Sequence, residues 1–481
     1  MDTCQYKVGP TFFVPEFSCS EEARTGSKFC IFHDENYVKD HYVEYNVIKR
    51  FEEKVAESIS KNKPLECIGY FIPPVEFAKL TGKGFSQPVY FNKATFYVTN
   101  FDHAKFSDEV RFTGATFSGA SFNEVTFSNE VYFIRATFDL VNFIGAKFSS
   151  RANFFGATFT DWADFTGAKF FNEATFRYAK FSNEANFTGA TFSKQAYFDE
   201  ATFSSNKGKT LFNYITFEQP NKVTFAKSKL SKVSFRFSDI TRIRFDEISW
   251  GGSDGRDEFT IIEEEWLKEQ ARREQKGEKQ KVEEQVSLED VLSVYRNLRE
   301  NYEFRLRYED AGKFFIKEME LKRKYRQLKP KGDNSLIPNI KYVLIQNGWL
   351  RRNFSLNGLY YHFSRYGESI WRPAAIGAMT IGLSTVLWLT QSDPTLQPSL
   401  SQNNPSSSNI SNFTGTDYFT DSSHLLKAFE RSVADFIPLL SLPSNIKVGV
   451  IDYIIKIVGG ALTFGLLIIA LRRKFERKYT R

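Results

Sequence analysis

The sequence predicts a mixed, multi-domain chain: a solenoid of short stacked coils, a helical segment after it, and two transmembrane helices at the end. Three observations predict this order. Phe occurs 51 times among 481 residues, against 22 Tyr and 6 Trp, and it recurs on a five-residue step. Beyond Trp250 that step stops, and a Gly-broken, charged stretch gives way to helical periodicity. Two 19-residue apolar segments, 371–389 and 453–471, lie near the C-terminus.

The length corresponds to roughly three ordinary domains. The expected divisions are 1–85 for an N-terminal segment, 86–249 for the solenoid and 250–332 for a charged linker with a helical hairpin. A juxtamembrane segment at 333–370 and a two-span membrane module at 371–481, with an outer loop at 390–452, complete the chain. Four Cys and 5 His exclude a disulfide-dense scaffold and a haem or iron–sulfur carrier. No nucleophile–base pair, phosphate loop or paired-carboxylate motif is present, so no enzyme is expected.

In the N-terminal segment stand Cys4, Cys19, Cys30 and His33, the last two within Phe-Cys-Ile-Phe-His-Asp. Three thiolates and one imidazole are the ligand count and type of a closed tetrahedral zinc site. Cys-x-x-His is a chelating spacing, whereas the gap from Cys4 to Cys19 is not diagnostic. All four lie in a short stretch with little core of its own, which favours structural zinc over buried cysteines with a surface His. His41 and Cys67 are reserve candidates.

From Phe91 the Phe positions run 91, 96, 101, 106, then 112, 117, 122, 127, then 133, 138, 143, 148. They continue in pairs from Phe154 and Phe159 to Phe198 and Phe203, with a sixth residue inserted at intervals. Ala or Val stands two residues before nearly every Phe, as at Ala94, Ala104, Val110 and Ala115. A helix advances about 500° in five residues, so successive Phe would lie about 140° apart. On a flat strand an odd step sends successive side chains to opposite faces. An eleven-residue helical repeat fails on its Thr, Asn, Ser and Gly content. The chain must therefore turn within each five, so that every Phe points to one axis and the small residue makes room beside it. The expected core includes Phe96, Phe117, Phe138, Phe159, Phe170, Phe181, Phe192 and Phe203.

This run, with its Ala-Thr-Phe and Ala-Asn-Phe triplets, resembles the pentapeptide-repeat family from Val89 to Phe203 and more raggedly to Phe245. The resemblance implies a right-handed, quadrilateral β-solenoid. Each six-residue step reads as one residue bulged at a corner. Some members of that family are acidic DNA mimics that bind gyrase. Residues 86–205 carry twelve acids and ten bases, too balanced for competition with phosphates. A rigid spacer or docking platform for a cytosolic protein partner is the expectation, with no nucleic acid bound.

After Gly251, Gly252 and Gly255, the charged run from Glu263 to Glu284 reads as a solvated helix or linker. Ser287 and Asp290 form a capping-box pattern, and Val291, Tyr295, Leu298 and Tyr302 share one helix face. A second amphipathic stretch runs from Tyr308 to about Leu328, before Lys329-Pro-Lys-Gly. The pair loosely resembles one tetratricopeptide hairpin; a helical adaptor on the solenoid end is the plainer expectation. Residues 313–331 hold eight Lys or Arg and two Glu, followed by Trp349, Tyr360, Tyr361 and Trp371. Ahead of a span this composition reads as a lipid-facing interface.

The segments 371–389 and 453–471 are each long enough to span a bilayer core. Basic flanks at Arg351, Arg352, Arg365 and Arg372, and from Arg472 to Arg481, place both termini in the cytoplasm of a two-span cell-membrane protein. The polar start predicts no signal peptide. The outer loop is Ser-, Asn- and Pro-rich with sequons at Asn409 and Asn412, and then amphipathic over 425–442. Residues 371–478 resemble two-span potassium-channel-like modules, which implies a tetramer with a pore loop around Asp435, Pro438 and Ser441. The filter run departs from that family: Asp435-Phe-Ile-Pro-Leu-Leu-Ser holds no Gly for stacked carbonyls. The functional alternatives are thus an ion-conducting membrane protein with a cytosolic solenoid and a non-conducting anchored scaffold.

Overall fold

The computed structural model describes residues 2–325 apart from 12, 13, 15, 38–44, 83, 204–207, 252–258 and 277–284, and then 356–390 and 463–471 apart from 464. It divides into two compact units, a first up to Leu321 and a second containing 356–390 and 463–471.

The first unit is a β-solenoid of about eight turns with helices after it. Each turn contributes two-residue strands that pair in parallel with the same position of the next turn. The strands form a six-stranded sheet, a nine-stranded sheet and a twelve-stranded sheet that covers two adjoining faces. The register is strict: Phe127 aligns with Phe148, Phe148 with Phe170 and Phe170 with Phe192. Coiling starts earlier than the expected boundary at 86. Leu65–Glu66 already pairs Val89–Tyr90, and Phe71–Ile72 pairs Thr95–Phe96. The expected start came from the first regular Phe, whereas the first turn uses Leu65 and Ile72 at core positions.

Four columns of Phe fill the interior. Phe165 lies parallel to Phe143 at 4.9 Å and to Phe187 at 4.7 Å, and meets Phe154 and Phe176 edge-on at 5.7 Å. Offset stacking along a column and edge-to-face contact between columns are the two favourable aromatic geometries. All eight expected core Phe are buried, as are the small residues two positions before each Phe. Five-residue corners close through a left-handed residue three positions before Phe, except at Leu140 before Phe143. Lys93, Gly114, Arg135 and Gly156 precede Phe96, Phe117, Phe138 and Phe159 in this way. The six-residue steps into Phe112, Phe133, Phe154 and Phe165 carry no left-handed residue at that position.

Both ends of the stack are covered. Before and within the first turns, helices α1 (Tyr45–Ser60) and α2 (Phe77–Thr81) close one end. Phe77 continues a Phe column, stacked on Phe101 at 4.2 Å and edge-on to Phe51 at 6.0 Å. At the other end lie α3 (Ile262–Lys276), α4 (Leu288–Phe304) and α5 (Tyr308–Tyr325). The expected capping box at Ser287 and Asp290 is formed, and the two amphipathic stretches are the helices α4 and α5. The run from Glu263 is helical as far as Lys276, the last described residue before 285, and is not wholly solvated. Glu263 is buried and accepts hydrogen bonds from Ser234 Oγ and Phe235 N, each at 2.9 Å. From α4, Asn301 Nδ2 donates to the carbonyls of Ile240 and Ile243 at 2.7 Å. Arg305 donates to Ile243 and Arg242, and Arg307 to Phe245. These groups satisfy the carbonyls that a further coil would otherwise have met.

In the second unit, α6 (Leu356–Ser364) precedes α7 (Trp371–Thr390), and residues 465–471 are helical. Arg372 donates to the Tyr361 carbonyl and lies over its ring at 5.5 Å. Among the described residues no helix is long and apolar enough to cross a membrane. The two spans expected at 371–389 and 453–471 therefore gain no support here. Much of the second segment, both sequons and the pore-loop candidates Asp435, Pro438 and Ser441 lie outside the described residues.

Two outcomes test this packing. Phe165→Ala should cost about 3–5 kcal/mol, as for other buried Phe truncations, and Phe165→Leu about half of that, measured by denaturant unfolding. Burial holds the Glu263 carboxyl above its usual range, against the opposing pull of Ser234 and the Phe235 amide. The stability it contributes is thus fully present below the ordinary carboxylate pKa and is lost as pH rises through the raised folded value. Glu263→Gln keeps an acceptor without the charge. It should match the parent in thermal midpoint at about pH 4 and exceed it at about pH 8, whereas Glu263→Ala should be less stable at both.

Candidate metal centre

The long interval between Cys4 and Cys19 is a hairpin. Lys7–Val8 pairs antiparallel with Phe17–Ser18, and Thr3 bridges Glu22. The Cys4 amide donates to the Glu21 carbonyl and the Cys19 amide to that of Tyr6. These bonds bring the two thiols to the same place from opposite strands. Cys30 and His33 arrive on a tight turn in which the amides of His33 and Asp34 both donate to the Cys30 carbonyl. Asp34 closes that turn outward, accepting from Arg24 and Ser27 at 3.0 and 2.8 Å.

All four predicted ligands converge and all four are buried. Their ligating atoms lie within 4.8 Å of one another. Cys19 Sγ is 4.0 Å from Cys30 Sγ, and His33 Nδ1 is 3.2 Å from Cys30 Sγ and 3.5 Å from Cys4 Sγ. Thiolates bound at about 2.3 Å to a tetrahedral ion stand about 3.8 Å apart, so these separations suit one zinc-sized ion. His33 Nε2 is 2.8 Å from the Ile68 carbonyl. A carbonyl only accepts, so Nε2 carries the proton and Nδ1 turns its lone pair toward the sulfurs. Tyr6 stacks on the imidazole at 3.8 Å and Tyr70 meets it edge-on at 4.7 Å. The hydrogen bond from Cys30 holds the Cys19 thiol below its ordinary value, and the same bond together with burial pushes the Cys30 thiol up.

Of the reserve candidates, Cys67 is fully buried and outside the cluster, its thiol pushed up by burial, and His41 lies outside the described residues. Sequence reasoning did not single out Gly69 or Phe32. Gly69 has φ +71°, and a Cβ there would fall 1.9 Å from the Tyr6 hydroxyl. Phe32 sits between two ligands, 1% exposed, stacked on Tyr70 at 4.8 Å and edge-on to Phe51 at 6.1 Å. The only signal for it was an apolar residue inside Cys-x-x-His.

Residues 85–126, 112–158 and 154–202 match the family described as pentapeptide repeats, nine copies. The repeat region is accordingly a pentapeptide-repeat β-solenoid. No curated protein matches the chain.

A side chain at Gly69 would displace Tyr6 from His33. Gly69→Ala should therefore lower zinc retention through gel filtration, while Cys30→Ser should abolish it; elemental analysis of the full-length protein reads both.

Proposed function

We propose that the chain is a non-enzymatic interaction scaffold whose solenoid docks a protein partner on a lateral face, with structural zinc in its Cys4–Cys19–Cys30–His33 centre. The observation that carries this reading is the covering of both ends of the stack by the chain's own helices, hairpin and arginines. The lateral faces remain, and strict register turns each into columns of side chains. The six-stranded face carries Lys105, Thr126, Lys147, Lys169, Thr191 and Thr216 in one column. No acid stands in that column, and Lys147 and Lys169 are immediate neighbours, an arrangement that an acidic surface would relieve. The same column argues against a DNA mimic, which needs dense negative charge.

A photoreactive residue at position 147, compared in cells with one at position 137 on another face, tests the docking. The expected result is a single cross-linked protein from position 147 that disappears with Lys169→Glu. Equal capture from both positions, or none, would count against the scaffold.

A second reading is favoured by α7, where Trp371 is 84% and Met379 76% exposed. It places the C-terminal part in the cell membrane with both termini cytoplasmic, and conduction would need a homotetramer. Flotation of the full-length protein with lipid vesicles, followed by ion-flux measurement, tests it: failure to float removes both membrane and pore.

A further inference from the structure

The metal centre and the first coil meet at specific backbone groups. The first coil has a neighbour on one side only: Leu65, Cys67 and Gly69 donate their amides to Pro88, Tyr90 and Asn92 of the next turn. On its other side, groups that an earlier coil would have satisfied need partners. The Phe71 amide donates to the Phe32 carbonyl at 2.9 Å. The Ile68 carbonyl accepts from His33 Nε2 at 2.8 Å. Both partners belong to the chelating turn Cys30-Ile-Phe-His33. The Phe32 ring also covers Tyr70 and reaches Phe51, which meets Phe77 at the head of a Phe column.

We propose that the Cys4–Cys19–Cys30–His33 centre is a metal-held plug, in which the bound ion fixes the Cys30–His33 turn so that Phe32 and His33 seal the open edge of the first coil. The proposal rests on the zinc reading above. The physical need is clear. An unpaired strand edge is a template for other strands, and terminal coils of a solenoid require a cap. The hairpin that carries Cys4 and Cys19, unlike α1 with its buried Val47, Phe51 and Val55, has little apolar content with which to hold itself down: its cluster is Val8, Val14 and Ile68, with Tyr6, Phe17 and Tyr90 against it. Cross-linking four residues through one ion supplies the rigidity that so small a core does not. Releasing the ion frees the turn, and the edge amide and carbonyl lose their partners together. The interior coils, each paired on both sides, keep theirs.

Hydrogen exchange of the full-length protein, with zinc bound and after removal by a chelator, tests this, with zinc content measured first. The expected result is exchange about tenfold or more faster over 65–72 on zinc removal, with 165–192 unchanged. Phe32→Leu should keep its zinc yet raise exchange over 65–72, which separates the plug from the ion. Unchanged protection at 65–72 in the zinc-free protein would overturn the proposal. So would loss of protection spread evenly along the coils, because the ion would then hold the whole fold rather than its end. A protein purified without zinc would instead overturn the metal reading beneath it.

Discussion

The constraint on which the structure depends is the coil-to-coil backbone ladder. Most strands are only two residues long, too short to be stable alone, and gain their pairing by lying at the same height as their equivalents one turn away. Once that register is set, like positions stack on like positions throughout. Phe falls on Phe at 4.6–5.6 Å along a column, from Phe96 on Phe117 to Phe181 on Phe203. Ala and Val fill the gap beside each ring. The same register projects any outward residue type as a column, so charge on a face is summed rather than averaged. A substitution at one core position is therefore felt by two turns at once.

A ladder of this kind has two ends, and the chain closes them by different chemistry. At the C-terminal end the last coil is met by helices and the turn between two of them, whose side chains replace a missing strand: Asn301, Arg305 and Arg307 donate to carbonyls, and Glu263 accepts from an amide and a hydroxyl. These polar groups are buried or half-buried and are retained because each has a partner. At the N-terminal end the closure is aromatic, through Phe77 and Phe32, with a thiol-rich turn behind it. The difference follows from length. Three helices give the C-terminal cap a core of its own, including Phe314 against Trp250 and Tyr302. The N-terminal hairpin has only a small apolar cluster, and beside it stand the buried Cys4, Cys19, Cys30 and His33.

The stack was legible because its period is incompatible with both a helix and a flat strand, and because a single aromatic marks it. The cluster was legible from residue type. What sequence did not disclose were the joints. Glu263 begins a run of charges, and nothing in the run says that its first carboxylate would enter the solenoid end. Leu65 and Ile72 open the coils without the Phe that announces the others, so the solenoid boundary fell some twenty residues late. Fourteen residues lie between Cys4 and Cys19 because a hairpin intervenes, and hairpin closure is a pairing between distant residues that spacing alone does not encode. Apolarity over 371–389 suggested a span from local composition, yet the described helices do not reach the length and apolarity that crossing requires.

Closure of the ends also limits how the molecule can act. A solenoid with open edges could add strands, and its affinity would reside in main-chain hydrogen bonds that any extended peptide can offer. With the edge amide of Phe71 and the carbonyls of Ile240, Arg242, Ile243 and Phe245 already engaged, these groups are not open to an added strand. On the lateral faces the side-chain columns have a spacing fixed by the ladder, so a partner docked there would cost little ordering entropy. Charge order along a column differs from face to face. The run Lys147–Lys169 on the six-stranded face and the alternation Tyr90–Arg111–Tyr132 on the nine-stranded face are different surfaces made by the same repeat. The repeat thus supplies the rigidity, and the outward residue of each five supplies the identity.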